Sequence, residues 1–284
     1  MVMDLAVDLI HATVQLEQPL GDGTRTVGTG FLISAPGPDG QPRTVLVTAN
    51  HVFQKMPGAT ARIGYRISNP DGTWSYSPQN LKIRDGEGHE LWTHHPNRDV
   101  AVISIKAPVD FAKAAIPVNY LAADDTFDKY QVNSGDEMMA LGFPRGLSAN
   151  SAGFPILRSG RVASYPLGPA KTYPTFLLDF SVFPGNSGGP VFISRGSKTE
   201  GVVKTGDDQD PGFIAGLLTQ QVELNNERLE IGIVTHAKYV REAIALLGTP
   251  VAPTVVASAP TATPAAATPI AGARVATAEE AARD

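Results

Sequence analysis

The chain has 284 residues, 42% of them hydrophobic and 18% charged, with 28 Gly, 23 Pro and no Cys, and a formal net charge of −5. Without cysteine there can be no disulfide, no Cys-ligated zinc, no iron–sulfur cluster and no thiol nucleophile. The acidic balance and the lack of a basic run interleaved with aromatics argue against nucleic acid. The apolar fraction is large enough for a sizeable core, and the Gly and Pro content predicts many short elements joined by turns.

The N-terminus, MVMDLAVDLIHATVQLEQPL, places Asp4 and Asp8 where an export signal needs a basic start, and His11 and Gln15 interrupt its apolar run. A cytoplasmic chain is therefore expected. No stretch approaches the ~18 uninterrupted apolar residues of a membrane span.

From there the periodicity is mostly two, with turn signals between the runs: TGFLIS, TVLVTA before a turn containing His51, ARIGYRIS before NPDG, TWSYS, LKIR before DGEG, and VAVISI. After a less regular crossover at 116–135 a second series follows: EMMALGF, ILRSGRVAS, TFLLDFSV, GGPVFIS, GFIAGLLTQ and ERLEIGIV. The pattern predicts antiparallel β-structure in two lobes, 1–120 and 121–248. One helix closes the body, capped by Thr235, with Val240, Ile244 and Leu247 as its apolar stripe and Gly248 and Pro250 as its stop. In residues 249–284, 24 of 36 positions are Ala, Pro or Thr, which reads as a disordered tail.

The string Phe183-Pro184-Gly185-Asn186-Ser187-Gly188-Gly189-Pro190 carries the most chemistry. Glycines on both sides of a serine permit a tight turn that presents the hydroxyl and aims successive N–H groups at one spot, as acyl transfer requires. Two more strings join it. His51 follows the apolar run Val45-Leu46-Val47-Thr48-Ala49-Asn50, and Asp99 opens the run Val100-Ala101-Val102-Ile103. A buried carboxylate can hold an imidazole in the tautomer whose other nitrogen takes a serine proton.

On these three motifs, in the order His51, Asp99, Ser187, the sequence resembles the chymotrypsin-like (trypsin-fold) serine proteases, and within them the Deg-type branch. Gly28-Thr29-Gly30-Phe31 is similar to the strand before the family's histidine, and Gly142-Phe143-Pro144-Arg145-Gly146 to the turn opening its second lobe. The resemblance implies two antiparallel six-stranded β-barrels with a short C-terminal helix, and a serine endopeptidase without cofactor or metal acting on protein or peptide substrates. Its roles carry over as Ser187 nucleophile, His51 general base and acid, Asp99 orienting carboxylate, and the N–H groups of Gly185 and Ser187 as oxyanion hole. Gly216-Leu217-Leu218-Thr219-Gln220-Gln221 is similar to the edge on which substrate pairs, with Thr219, Gln220 and Gln221 lining the specificity pocket. Ser181 stands where trypsin-like enzymes hold a carboxylate, and Val182 beside it would narrow the pocket, so a small or medium apolar residue is expected on the acyl side of the cleaved bond. Asn186 stands where zymogens of the family have the aspartate that pairs with a new α-ammonium, so no N-terminal processing is expected.

The chain departs from the Deg-type pattern in three ways. No PDZ-like segment follows the closing helix, the loop LSANSAGFP is longer, and Asn50 replaces a common Ala. Two other functional classes compete. One is a catalytically silent peptide-binding module on the same fold. The other is an α/β-hydrolase esterase, whose order Ser187, Asp208, His236 is satisfied literally, although Gly188-Gly189-Pro190 leads into a strand and not a helix. His89, His94 and His95 read as a solvated strand end rather than a metal cluster, and Asp207, Asp208 and Asp210 as a surface hairpin rather than a calcium loop.

Overall fold

The computed structural model describes residues 4–194, 212–224, 227–248 and 273–275. A helix the periodicity did not reveal comes first. Asp4 accepts hydrogen bonds from the N–H groups of Ala6 and Val7 and so caps α1 (Leu5–Ala12), whose Leu5, Leu9 and Ala12 turn into the core.

The N-terminal lobe holds β1 (Thr13–Pro19), β2 (Arg25–Pro36), β3 (Pro42–Thr48), α2 (Asn50–Gln54), β4 (Thr60–Ser68), β5 (Trp74–Lys82), β6 (Thr93–His94), β7 (Ala101–Ile105), α3 (Val109–Ala114) and β8 (Ile116–Pro117). Its strands form one sheet in the order β5-β4-β1-β2-β3-β7-β6, with β8 added parallel beside β2. The turn expected at His51 is the helix α2, since the backbone N–H of Lys55 returns to the His51 carbonyl.

The crossover contains a 3-10 turn at Val118–Tyr120 and α4 (Thr126–Lys129). Then come β9 (Glu137–Gly142), β10 (Ile156–Val162), β11 (Thr175–Asp179), β12 (Pro190–Ile193), β13 (Phe213–Leu224), β14 (Glu227–His236), α5 (Ala237–Leu246) and β15 (Ala273–Val275). Because β12 pairs with both β9 and β13, the order β12-β9-β10-β11-β14-β13 closes into a six-stranded barrel. The protein is thus mostly β, as the periodicity of two predicts. The barrel of the C-terminal lobe closes through its ladder, whereas the N-terminal lobe is an eight-stranded sheet whose described pairings leave β5 and β6 as ends.

Two sequence expectations change at α5. Its N-cap is His236, not Thr235, because Thr235 still pairs with Thr175 and Leu217 inside β14. Val240 and Ile244 are buried and Leu247 partly so, as the stripe predicts. The helix faces the first lobe through His95, which is buried rather than solvated: its Nε2 lies 3.0 Å from Glu242 Oε2 and its ring packs edge-on against Tyr239. The long loop after Gly146 also ties the lobes together. Its Gly153 carbonyl accepts from the buried Arg66, which also bonds the carbonyls of Ile10, His11 and Thr13 and lies over the rings of Phe111 and Phe154. Of the tail, only 273–275 is described, as a strand opposite Val222–Leu224 of β13; the rest lies outside the described residues.

Candidate active site

His51 lies in α2, one residue beyond the strand-to-helix junction at Asn50, and Asp99 lies just before β7, which pairs with β3. The pairing of Thr48 with Ala101 therefore brings the two loops together. Asp99 Oδ2 is 2.6 Å from His51 Nδ1, and Asp99 Oδ1 accepts the His51 backbone N–H at 2.9 Å. Both side chains remain partly exposed. Burial raises the pKa of Asp99, but hydrogen bonds from the His51 ring and from the backbone N–H groups of His51 and Asn50 outweigh it, so the carboxyl lies below its ordinary value. With the carboxylate on Nδ1, that nitrogen carries the proton and Nε2 keeps its lone pair. Asn50, the unusual neighbour, accepts a hydrogen bond from Trp92 Nε1 at 2.9 Å and so anchors the start of α2 to the loop before β6.

The Ser187 loop is held to β2 and β13 by neutral hydrogen bonds. The Thr29 N–H donates to the Ser187 carbonyl at 2.9 Å, and the Gly188 N–H to the Leu218 carbonyl at 2.7 Å. Thr29, fully buried, supplies a hydroxyl that donates to the Gly185 carbonyl at 2.6 Å and accepts the Phe143 N–H at 3.1 Å. Three glycines are required here by close approach. A Cβ on Gly185 would lie 2.3 Å from the Phe143 carbonyl oxygen, on Gly188 2.2 Å from that of Thr29, and on Gly189 2.1 Å from that of Leu141. Gly185 and Gly188 also have positive φ, 94° and 87°. The side chain of Asn186 is buried against Gly142 with Nδ2 unpartnered among the described residues.

In the same set, the backbone N–H groups of Gly185 and Ser187 donate to no protein acceptor, unlike those of Asn186, Gly188 and Gly189. The Ser187 hydroxyl donates to the Thr219 carbonyl at 3.4 Å and makes no hydrogen bond to His51 among the described residues. The structure thus joins His51 to Asp99 directly, and places the Ser187 loop beside residues 48–49, next to His51.

Of the expected pocket residues, Val182 packs with Phe180 and Leu218 around one strand glycine, Gly232. Val182 Cγ2, Leu218 Cδ1 and Phe180 Cε1 would each be 3.0 Å from a Cβ on Gly232. An apolar wall therefore closes over a strand glycine, and a glycine within a strand run is the one sequence sign of such an approach. Thr219 is buried and shares its hydroxyl with the Ile233 carbonyl and Thr235; Ser181 is half-buried and Gln220 exposed. Gln221 belongs to β13.

Of the rival residues, His236 and the histidines at 89, 94 and 95 fall within the described residues. Asp207, Asp208 and Asp210 lie outside the described residues. Burial pushes His236 down to about 4, and its Nε2 has no partner among the described residues. Gly188-Gly189 runs into β12, not into a helix, in an antiparallel barrel. His89 sits apart from His94 and His95, on an exposed turn with Asp85 and Glu87, its Nδ1 2.9 Å from Asp85 Oδ2. No described helix is long and apolar enough to cross a membrane.

A two-lobed β-structure that holds a serine turn with unbonded N–H groups beside an aspartate-bound histidine defines the serine protease class of site. The family comparison agrees: the model of the trypsin-like peptidase domain matches residues 28–198, and the chain belongs to that family. A solved structure similar to it is the protease Anisep from Arthrobacter nicotinovorans, 16% identical over 83% of this chain and 94% of that one, with a TM-score of 0.49. A search of curated proteins finds no match.

Proposed function

We propose that the protein is a serine endopeptidase that hydrolyses peptide bonds through an acyl-enzyme, with Ser187, His51 and Asp99 as its triad. The observation that carries this reading is the pairing of an Asp99-oriented His51 with two N–H groups, on Gly185 and Ser187, that have no acceptor among the described residues and flank one hydroxyl. Rotation of the Ser187 hydroxyl from the Thr219 carbonyl toward His51 Nε2 lets the imidazole take its proton as the oxygen attacks the scissile carbonyl. The resulting oxyanion accepts from the two N–H groups. The imidazolium, stabilised by Asp99, then protonates the leaving amine, and a water molecule repeats the sequence on the ester.

The oxyanion loop is held by Thr29 and by backbone bonds to Leu218, all neutral, and the neutral amide of Asn186 cannot form the ion pair that would offset burial of an ammonium. The active arrangement accordingly needs no newly cut N-terminus.

A fluorophosphonate probe tests the reading. Covalent labelling that Ser187→Ala abolishes is expected, together with losses in kcat on the order of 10⁴ to 10⁶ for Ser187→Ala or His51→Ala and scarcely more for the double variant. The Ser187–Thr219 hydrogen bond favours one second reading, a silent peptide-binding module, which absence of labelling in folded protein would support.

A further inference from the structure

We infer that Arg145 and Arg158 form a subsite for an acidic substrate residue on the leaving-group side of the scissile bond, an inference that rests on the peptidase reading above. The two guanidinium carbons lie 5.8 and 5.6 Å from the centroid of one ring, Phe183, and Arg158 also lies 5.7 Å from that of Phe180. Neither side chain makes an ion pair or a hydrogen bond among the described residues, and Arg145 is exposed while Arg158 is partly so. An aromatic ring attracts a guanidinium without neutralising it, so both positive charges beside Phe183 stay available to an anion. Arg145 also occupies the left-handed region, φ 51°, which is uncommon for a residue with a side chain and recurs at functional sites.

The surroundings sharpen the charge. Arg25 reaches Gly146 of the same turn, and the buried carboxylate there, Glu17, is already held by Arg25 at 2.7 Å and Arg62 at 2.9 Å. The charge of Glu17 is thus shared between Arg25 and Arg62, in a chain whose formal net charge is −5. Their position relative to the oxyanion loop sets the side of the bond. The Gly188–Gly189 end of that loop bonds Leu218 of β13, the strand on which the acyl half of the substrate would pair. The other end, Pro184–Gly185, is bound by the 143–146 turn, with the Arg145 N–H on the Pro184 carbonyl at 2.6 Å. An extended chain that leaves β13 and crosses the two free N–H groups runs on toward that turn with its leaving half.

The test uses full-length protein and internally quenched peptides that share one acyl side and differ only in the first three leaving-side residues, which are acidic, all-Ala or Lys-containing. Acidic peptides are expected to show roughly three- to tenfold higher kcat/KM than Ala peptides, the size that two part-exposed ion pairs supply, with Lys peptides slowest. The acidic-to-Ala ratio should fall toward one in Arg145→Asn with Arg158→Gln; asparagine tolerates the left-handed backbone of position 145. In unaltered protein the ratio should also collapse at about 1 M salt, where screening is nearly complete, which keeps the test open if the double variant misfolds. A ratio near one in unaltered protein that cleaves the Ala peptide overturns the subsite and leaves the peptidase reading standing. A ratio unmoved by salt or substitution also overturns it. Failure to cleave any peptide, with no probe labelling, overturns both.

Discussion

Replacing Thr29 by valine removes one hydroxyl and keeps the side-chain shape, so it isolates the hydrogen bonds that hold the oxyanion loop. The hydroxyl connects the Phe143 N–H at 3.1 Å to the Gly185 carbonyl at 2.6 Å, and Thr29 is fully buried, so water cannot replace it. Leaving a buried donor and a buried acceptor unpaired costs about 2–4 kcal/mol. For a domain of this size that corresponds to a fall in Tm of roughly 5–12 °C. The functional cost follows from the same atoms. Gly185 reaches φ 94° against the Phe143 carbonyl, and losing the Thr29 hydroxyl frees the Gly185–Asn186 peptide and relaxes the Gly185 torsions that aim its N–H, the one in the Pro184–Gly185 peptide, at the oxyanion. Loss of one such donor costs about 10² to 10³ in kcat, and a partly populated turned state predicts a fall of about 10- to 100-fold. Calorimetry and steady-state kinetics on Thr29→Val, with Thr29→Ser as the variant that restores the hydroxyl, measure both. Equal Tm and kcat for Thr29→Val and unaltered protein would refute the argument, as would a serine variant as impaired as the valine one.

Burial holds His236 neutral with a pKa of about 4, so between pH 6.5 and 4 the unfolded chain takes up a proton the folded one refuses, and stability falls as pH drops through that window. The loss approaches about 3 kcal/mol at its acid end, and His236→Phe, packed between Phe127 and Phe176, should flatten the slope of denaturant-derived stability against pH. Asp99 has the opposite charge type and adds in the same direction: its lowered pKa contributes stability above the ordinary carboxylate value of 3.8 that is lost below it, and Asp99→Asn should cost on the order of 10⁴ in kcat near neutral pH. Peptides with Ala or Val on the acyl side should be cleaved ahead of those with Arg or Glu, and Val182→Gly should admit larger apolar residues; efficient cleavage after Arg with Ala and Val peptides intact would contradict the apolar wall around Gly232. Truncation after Gly248 removes only the three-residue strand β15 from the described fold, so Tm should drop by no more than about 5 °C and activity on a short peptide should persist.

Much of the catalytic proposal is legible in the chain itself because it depends on residue types at fixed local offsets. The glycines around Ser187, the apolar run before His51 and the β-branched run after Asp99 each encode their own turn or strand, and the period of two encodes the sheets. The N-terminal helix was also legible in principle, since Asp4 precedes Leu5 and Leu9 at helical spacing, but eight residues among strands are a weak signal.

What only the tertiary structure decided is set by contacts between distant segments. Thr29 meets Gly185 across 156 positions, Gln15 reaches the Gly146 carbonyl across 131, and His95 meets Glu242 across 147. No local pattern records such pairings, because a hydroxyl or imidazole reads the same in a solvated turn as in a buried bond. The convergence of Phe180, Val182 and Leu218 on Gly232, and of Arg145 and Arg158 on Phe183, arises likewise from barrel closure and from the packing of loops on it. Local residue chemistry makes the proposed triad readable, whereas the shape and charge of the surface that would choose a substrate come from register and packing between strands far apart in the chain.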